Sequence, residues 1–414
     1  MSRHSEKSED DSLFVFPRGW LARFRPALMA WYDQQARPLP WRESRDPYAI
    51  WVSEVMLQQT TVAAVVPYFE RFLQRFPTVA DLAEAQEEDV LRLWEGLGYY
   101  SRARNLQKAA RQIVAAEADG GFAGEFPATP EEWQKLPGIG RYTAGAIVGF
   151  AFDTPAPIVE ANTQRLYARL MGYEGELTTT AGRRLLWNFA EQLVPDHQPG
   201  RFNQALMDLG SLVCRPVAPA CGKCPVAICC RAAAEGRQAD IPKLTKRPEP
   251  TDLTEFAIVI VRDGCCLLMR WNHGERWAGL WDFVRFGTDH LTTGTAEVPT
   301  SLELAEAVRK IVGETVTVGD CFHELTHAVT RYRIRLRAHR AVPPERPARR
   351  RKSDRQQTTP AGSDTGTVPV RETAWVPFDQ LADYPLSVSA RKIARIVTER
   401  TSGLFRDDWL SDSP

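Results

Sequence analysis

Four cysteines between residues 214 and 230 constrain this chain more than any other feature of its sequence. Cys214, Cys221, Cys224 and Cys230 follow the spacing C-x6-C-x2-C-x5-C. Thiolates placed so closely suit a compact tetrahedral metal centre, and on chemistry alone both zinc and a [4Fe–4S] cluster fit. A fifth cysteine, Cys229, stands outside this spacing, which favours Cys230 as the fourth ligand. The segment therefore predicts a metal centre held by one short loop.

The other cysteines and the composition narrow the class of protein. Cys265, Cys266 and Cys321 lie far from the first group, a distribution unlike a secreted disulfide framework. No stretch is long and apolar enough to span a bilayer, and residues 1–11 lack the apolar core of a signal peptide. The formal net charge is zero, so charge does not indicate a nucleic-acid partner. We expect a cytoplasmic globular protein without membrane contact, whose partners must be inferred from motifs.

The pattern of apolar residues changes once along the chain, and its 414 residues favour two domains. Helical spacing dominates the first half, whereas a β-branched run at 255–261, followed by the turn signal Asp263-Gly264, indicates strands in the second. The predicted organisation is a disordered tail at 1–17, an all-α domain at 18–235, an extended linker at 236–252, a mixed α and β domain at 253–400 with a disordered insertion at 341–370, and a tail at 401–414.

A glycine hairpin at 136–144 predicts contact with phosphate. Its sequence is L-P-G-I-G-R-Y-T-A, and helical segments at 130–135 and 142–150 flank it. Gly138 and Gly140 allow backbone N–H groups to approach a phosphate closely, and the following helix start, which contains Thr143, adds positive potential. Such a helix-hairpin-helix unit positions a protein on a nucleic-acid backbone without reading sequence.

Two carboxylates stand in contrasting predicted environments. Asp46 and Pro47 indicate a helix start, which places Glu54 in mid-helix on the apolar face of Ile50. Desolvation there raises proton affinity and makes Glu54 a candidate general acid. Glu160 directly precedes a helix expected at 163–171, whose dipole and free N–H groups should hold the carboxylate ionised. The two environments are expected to move the pKa values of these acids in opposite directions.

Further motifs, taken with the hairpin and the cysteine loop, resemble the MutY-type adenine DNA glycosylases of the helix-hairpin-helix superfamily. They are L-P-W-R at 39–42, W-V-S-E-V-M-L-Q-Q-T at 51–60, G-L-G-Y-Y at 96–100 and F-N-Q-A-L-M-D-L-G at 202–210. The resemblance runs nearly continuously from Trp20 to Ile241, and the segment around Glu54 is particularly specific.

The resemblance implies a multidomain architecture, in which an all-α glycosylase domain with a [4Fe–4S] loop is followed by an α+β Nudix-like domain. It implies a base-excision repair enzyme that hydrolyses the N-glycosidic bond of adenine mispaired with 8-oxoguanine or guanine. The partner would be double-stranded DNA, from which the base is flipped out, and the product an abasic site. We expect a monomer that, in a bacterium, associates with the nucleoid when bound to DNA.

The resemblance also implies roles for individual residues. Glu54 would protonate the adenine ring, and an ionised Glu160 would stabilise the oxocarbenium-like sugar, as in glycoside hydrolysis. Tyr142 stands where lyase-competent relatives carry a nucleophilic lysine, so a monofunctional glycosylase is expected. The remaining matches are Asn162 beside the catalytic acid, Trp41, Arg42 and Gln204 in the adenine pocket, Asp208 in support of that pocket, and Gln58, Gln59 and Tyr99 near the vacated stack and the opposite base.

The sequence departs from the family at Glu160-Ala161, where aspartate and glycine are usual. An added methylene moves a carboxylate by roughly an ångström, a displacement that can cost about a hundredfold in rate. Either the site has accommodated glutamate and is active, or the protein binds lesions and cuts poorly. A second alternative is an endonuclease III-like glycosylase for oxidised pyrimidines.

In the second domain, G-L-W-D-F at 279–283 resembles a segment of the family's Nudix-like domains. The helix expected at 305–313 offers Glu306 and Arg309 but not the paired acids that hold Mg²⁺ in a Nudix hydrolase. We therefore expect a recognition module rather than a hydrolase. By the resemblance, Thr326 and His327 would contact 8-oxoguanine, and Leu325 replaces an aromatic residue there.

Overall fold

The computed structural model describes residues 14–243, 249–291, 299–344 and 371–402. The chain divides into two compact units. The first comprises residues 1–85 and 101–247, and the second comprises residues 86–100 and 248–414. Residues 86–100 therefore belong to the second unit, although the sequence pattern does not distinguish them from the helical residues on either side.

The first unit is helical, as predicted. Several helices begin where a side-chain oxygen accepts a hydrogen bond from the first turn. Asp46 accepts one from the backbone N–H of Tyr48, and Thr78 forms a capping box with Asp81. The helices of this unit are α1 Trp20–Gln35, α2 Pro47–Leu57, α3 Val62–Arg75, α4 Val79–Glu84, α6 Ser101–Val114, α7 Pro130–Trp133, α8 Arg141–Phe152, α9 Ala161–Met171, α10 Thr180–Leu193, α11 Pro199–Asp208 and α12 Arg231–Ala234.

A large apolar core joins the two ends of the helical sequence. Side chains of α1, α9, α10 and α11 pack together with residues of the cysteine loop. Phe14 and Phe16 belong to this packing, because both rings lie about 5 Å from that of Phe189. The prediction of a disordered tail at 1–17 is therefore wrong for residues 14–17, where aromatic side chains pack on the core. Residues 1–13 lie outside the described residues.

The predicted linker also begins too early. Ile241 is buried against Ala168 and Ala232, and its carbonyl accepts a 2.8 Å hydrogen bond from Arg169 Nε. Residues up to this point thus pack on the helical unit. At the other end, the first strand begins at Thr251, two residues before the predicted domain start. Residues 244–248 lie outside the described part of the chain.

The second unit combines a sheet with helices, which confirms the predicted α+β character. Asp263 and Gly264 both have positive φ, as a tight hairpin turn requires, and they join β1 to β2 as predicted. The elements are α5 Glu87–Leu93, β1 Thr251–Arg262, β2 Cys265–Arg270, β3 Trp281–Asp282, β4 Val284–Gly287, α13 Ser301–Val312, β5 Thr317–Val329, β6 Tyr332–Val342, β7 Thr373–Pro377 and α14 Val388–Ser402.

The described strands form one mixed sheet organised around the long strand β1. The central order is β3-β2-β1-β6-β5, and β4 and β7 pair with β1 and β2 respectively. β1 and β6 run parallel, whereas the other pairs are antiparallel. Apolar cores cover both faces, one with α14 and the other with α13. Because β6 extends to Val342, the insertion predicted from residue 341 begins later than expected; residues 345–370 and 403–414 lie outside the described part.

Among the described helices, none combines the length and the apolar character needed to cross a bilayer.

Candidate active site

The helical unit contains a cavity of about 450 Å³ that gathers residues from separate motifs. Its walls come from the turn at 40–42, from α2 and the residues after it, and from the starts of α8 and α9 and the end of α11. The sequence-predicted residues that line it are Trp41, Arg42, Glu54, Gln58, Gln59, Tyr142, Glu160, Asn162 and Gln204.

Glu54 lies in the middle of α2 and is only 3% exposed. Its Oε2 accepts a 2.8 Å hydrogen bond from the Tyr142 hydroxyl. Burial raises the pKa of Glu54 to about 7, against the hydrogen bond from Tyr142, and the nearby charge of Glu160 adds to the rise. The carboxyl group is therefore largely protonated below neutral pH, as a general acid requires.

Tyr142 occupies the second position of α8, directly after the hairpin. Burial, followed by the charge of Glu54, raises the pKa of its hydroxyl well above the usual value. The hydroxyl thus stays protonated and acts as a donor to Glu54. Its oxygen also lies 4.0 Å from the Met207 sulfur, which places the ring between α2 and α11.

Glu160 caps the start of α9. Its Oε1 accepts a 2.9 Å hydrogen bond from the N–H of Thr163, and its Oε2 accepts one of 2.8 Å from the N–H of Asn162. Burial nevertheless raises the pKa of Glu160, although these hydrogen bonds oppose the rise. The expectation that the helix start moves the pKa of Glu160 in the direction opposite to that of Glu54 is wrong. Burial raises both pKa values.

Asn162 and Ala161 complete the first turn of α9. The Asn162 side chain donates to Glu160 Oε2 at 3.3 Å and accepts from Arg165 Nη2 at 2.9 Å. Arg165, which sequence reasoning missed, also donates to the carbonyls of Gly210 and Cys214. Ala161 has no positive φ, so alanine fits the position usually held by glycine without strain.

Asp208 at the end of α11 binds Arg42, one of the residues of the cavity wall. It is fully buried and binds Arg42 in a fork, with distances of 2.8 and 3.0 Å. Arg37 Nε donates to the same carboxylate at 2.8 Å. Burial opposes ionisation of Asp208, but hydrogen bonds from the two arginines outweigh it and lower its pKa. Arg37 lines the cavity as well. Its position just before the L-P-W-R motif is the sequence feature that could have identified it as a cavity residue.

Gln58 and Gln59 form the turn that ends α2. Gln59 is exposed with a positive φ of 59°, and Gln58 Nε2 donates to Thr143 Oγ1 at 3.3 Å. Arg102, another residue that sequence reasoning missed, donates from Nη1 to the carbonyls of Val55, Met56 and Gln58 at 2.7–2.9 Å. A guanidinium at this helix end satisfies carbonyls that lack helical partners and matches the helix dipole.

The hairpin presents backbone rather than side chains. Gly138 and Gly140 are exposed, and Gly138 has a φ of 79°, which explains the need for glycine. The side chain of Thr143 is buried, and its hydroxyl accepts a hydrogen bond from Gln58. The group of Thr143 that remains for a phosphate is its backbone N–H in the first helical turn.

The four predicted cysteine ligands line one small apolar cavity, together with residues of α9 and α12. Cys229 instead points into the helical core, and its carbonyl accepts a hydrogen bond from Trp20 Nε1. Arg169 Nη1 lies 3.3 Å from the Cys214 sulfur. In the described chain, no three potential ligands converge on a point that one metal ion would occupy. Four thiols around a shared cavity beside the Arg169 cation offer the donor set of an anionic metal–thiolate centre.

Thr326 and His327 lie on β5 of the second unit. Thr326 is exposed, whereas His327 Nε2 is 3.3 Å from Nη2 of the buried Arg285. Arginine has only donors, so Nε2 acts as the acceptor and His327 is neutral. Burial, followed by the charge of Arg285, lowers the pKa of His327 to about 4. Tyr99, predicted together with Gln58 and Gln59 to lie near the vacated stack and the opposite base, belongs to the second unit.

Comparison with known proteins agrees with these features. Residues 52–192 match the HhH-GPD superfamily base excision DNA repair protein family. The adenine DNA glycosylase of Mus musculus is 45% identical over 253 residues, which cover 59% of this chain and 48% of the mouse protein. That of Buchnera aphidicola subsp. Schizaphis graminum (strain Sg) is 36% identical over 266 residues, covering 64% of this chain and 75% of that protein.

The structure of a thermostable thymine-DNA glycosylase matches with a TM-score of 0.47 and 28% identity, over 52% of this chain and 97% of that one. The helical fold, the hairpin and the family match together define a helix-hairpin-helix base-excision protein. More narrowly, the chain belongs to the adenine DNA glycosylase family. It spans about half the length of the mouse protein and three quarters of the Buchnera protein.

Proposed function

We propose that this protein is a monofunctional adenine DNA glycosylase that acts on adenine opposite 8-oxoguanine or guanine in double-stranded DNA. The observation that carries the proposal is the pair of carboxyl groups, the buried Glu54 and the partly buried Glu160, on one cavity of about 450 Å³. A base inside a duplex cannot reach such a cavity, so the nucleotide must be flipped out of the stack.

Glu54 acts as the general acid. With a pKa of about 7 it is substantially protonated at physiological pH, and it transfers its proton to a ring nitrogen of adenine as the N-glycosidic bond breaks. The Tyr142 hydroxyl donates to the carboxylate that remains, so it stabilises the product of proton transfer. The departing base thus leaves as a neutral molecule.

Glu160 acts on the sugar. Its oxygens are held by the N–H groups of Asn162 and Thr163, so the carboxylate has a fixed position when positive charge develops on the sugar. This support favours the active alternative over lesion binding with weak catalysis, because the longer glutamate is fully accommodated as a cap. Tyr142 cannot form a Schiff base, so water completes hydrolysis and an abasic site remains.

The cysteine loop is proposed to hold a [4Fe–4S] cluster through Cys214, Cys221, Cys224 and Cys230. A bound cluster would fix the loop that carries it. The chain's own residues connect this loop to α9, since Arg165 and Arg169 both donate to the Cys214 carbonyl. The protein would act as a monomer, with Gly138, Gly140 and the Thr143 backbone on a phosphate.

The residues proposed to contact the opposite strand are Tyr99, Thr326 and His327. The exposed Thr326 hydroxyl can donate or accept, whereas the ring nitrogens of His327 are engaged by Arg285 or buried. Trp41, Arg42 and Gln204 would hold the flipped adenine, while Gln58 and Gln59 would line the vacated stack.

The test uses duplexes with adenine opposite 8-oxoguanine, adenine opposite guanine, and thymine glycol. Strand breaks that appear only after alkali, and only with the adenine substrates, are expected. Breaks at thymine glycol without alkali would support a pyrimidine glycosylase instead. Tight binding to adenine mispairs without product would indicate the lesion-binding alternative.

A further inference from the structure

Gln204 is a cavity residue whose side chain can offer a ligand either a donor or an acceptor. Its amide carries a carbonyl oxygen on one side and an NH2 group on the other. Gln204 lies on α11, is partly exposed and lines the cavity together with Arg42. The hydrogen-bonding group that this wall presents to a base therefore depends on which way the amide is turned.

The Tyr32 hydroxyl on α1 fixes the orientation of that amide. It donates a 2.8 Å hydrogen bond to Gln204 Oε1. Tyr32 is 3% exposed, and burial raises the pKa of its hydroxyl, although the positive charge of Arg42 opposes the rise. A buried phenol that stays protonated needs an acceptor. An amide turned the other way would take this acceptor from the phenolic proton, so the oxygen faces Tyr32 and the NH2 group is turned away from it.

Tyr32 is itself held in place. Its ring belongs to the apolar core of the helical unit. The guanidinium carbons of Arg42 and Arg201 lie 5.9 and 5.6 Å from the ring centroid, within the range of a cation–π contact. Both arginines are paired in turn, Arg42 with Asp208 and Arg201 with Asp33. The hydroxyl is therefore a fixed reference to which a neighbouring amide must adapt.

The polar neighbours of Gln204 on this wall are donors as well. Arg37 and Arg42 line the cavity, and a guanidinium group has no acceptor. Asp208, the acid bound to both, is fully buried and already accepts hydrogen bonds from them. With the Gln204 amide held by Tyr32, the three side chains offer N–H groups to a base.

We infer that Tyr32 is a specificity-determining residue, which holds the Gln204 amide so that its NH2 group donates to a ring nitrogen of the flipped adenine. The ring nitrogens of adenine that face a pocket are acceptors, whereas guanine carries a proton on one of its ring nitrogens. A donor set against another donor leaves both groups unpaired, which penalises the wrong base. Tyr32 is a positioning residue, since it acts through Gln204. The inference rests on the proposed function and adds a residue that selects the base.

The test removes one hydroxyl group. Tyr32→Phe keeps the ring and its packing but allows the Gln204 amide to turn. Affinity is measured for duplexes with a non-cleavable adenine nucleotide, and for analogues in which a C–H group replaces one ring nitrogen at a time. In the unaltered protein, the analogue that lacks the partner of Gln204 should bind about tenfold more weakly than adenine. In Tyr32→Phe this penalty should fall below about threefold, because the amide is no longer fixed as a donor.

A double-mutant cycle separates positioning from packing. Gln204→Ala should abolish the penalty for that analogue, and adding Tyr32→Phe to it should change nothing further. Tyr48→Phe is the matched control, because it removes another buried phenol of the helical unit, whose hydroxyl donates to the Phe76 carbonyl at 2.9 Å. It should leave the penalty at its value in the unaltered protein.

A measurement without DNA tests the orientation of the amide directly. The side-chain amide NMR signal of Gln204, identified by its absence in Gln204→Ala, should shift in Tyr32→Phe. It should keep its position in Tyr48→Phe.

The inference is overturned if the penalty or the amide signal is unchanged in Tyr32→Phe, or if the penalty of every analogue is independent of Gln204. It is also overturned if Tyr32→Phe lowers the penalty when the Gln204 side chain is absent. Failure of the proposed function looks different, because the unaltered protein would then release no adenine from either mispair. The amide signal and the affinity ratios do not require base release, so they would still decide the inference.

Discussion

The middle of α2 and the start of α9 each bring one carboxyl group to the same cavity, by opposite means. Glu54 lies among buried, mostly apolar residues of α2 and accepts a hydrogen bond from the Tyr142 hydroxyl. Glu160 accepts hydrogen bonds from the backbone N–H groups at a helix start and from the Asn162 side-chain amide. Burial raises both pKa values, but more hydrogen-bond donors oppose the rise at Glu160.

The comparison shows how one cavity can place two carboxyl groups in different surroundings. Glu54 is the more deeply buried of the two, and the donors differ as well, because a mid-helix position has no free N–H groups whereas a helix start has several. The following variants test this distinction.

The largest effect is expected for Glu54→Gln, which keeps the shape and removes the proton to be transferred. Loss of a general acid should lower the single-turnover rate of adenine release about a thousandfold or more. Affinity for the adenine-containing duplex should change far less. A variant that retains a tenth of the rate would show that Glu54 is not the acid.

The same variant has a second consequence for stability. The pKa of Glu54 is about 7 in the folded chain against 4.5 for an unperturbed glutamate. An acid with a raised folded-state pKa costs stability once it ionises, so its contribution should become less favourable between about pH 4.5 and 7. Above that range the cost is about 3 kcal/mol. Glu54→Gln should therefore unfold at higher denaturant concentration than the unaltered protein at pH 8, and lose the advantage at pH 4.

The next largest effect is expected for Glu160→Ala. Loss of the negative charge near the sugar should lower the rate about a hundredfold, and loss of the cap should reduce the free energy of unfolding by about 1 kcal/mol. Glu160→Asp preserves the charge and a capping oxygen, so it should recover most of the stability. If Glu160→Ala reduced stability without reducing the rate, Glu160 would be a cap and nothing more.

A smaller effect is expected for Tyr142→Phe. Without the hydroxyl, the ionised form of Glu54 loses its donor, so the pKa of Glu54 should rise further and the alkaline limb of the rate profile should move to higher pH. The rate at the optimum should fall less than tenfold, because the acid remains. A shift of that limb to lower pH would contradict the assignment of Tyr142 as a donor.

The smallest effect is expected for Ala161→Gly, which restores the residue usual in the family. The backbone here is helical, so glycine offers no conformational advantage and should cost about 0.5–1 kcal/mol of stability. The rate should stay within twofold, as measured beside Glu160→Ala under the same conditions.

Local patterns predicted much of the helical unit. The cap at Asp46, the burial of Glu54 and the hairpin turn at Gly138 all depend on neighbours within a few residues, which a sequence displays directly. The convergence of the motifs on one cavity followed from the family resemblance rather than from spacing.

Long-range contacts were not predictable in the same way. Arg102 and Arg165 donate to backbone carbonyls 44 to 49 positions away, and Arg37 donates to a carboxylate 171 positions away. Nothing in the local sequence marks Arg102 or Arg165. The raised pKa of Glu160 was missed for a related reason: a helix start is visible in sequence, but the depth at which the fold buries it is not. The placement of 86–100 in the second unit likewise depends on the distant Arg391.

The aromatic residues before α1 have a consequence for the order of events during synthesis. Trp20 donates to the carbonyl of Cys229, 209 positions away, and Phe14 and Phe16 pack on Phe189. At translation rates of about 5–20 residues per second, the residues that pack on the first helix are synthesised on the order of 10 to 40 s after it. We therefore expect ribosome-bound chains that end before residue 189 to expose this aromatic segment to chaperones and proteases, and chains that extend past the cysteine loop to protect it.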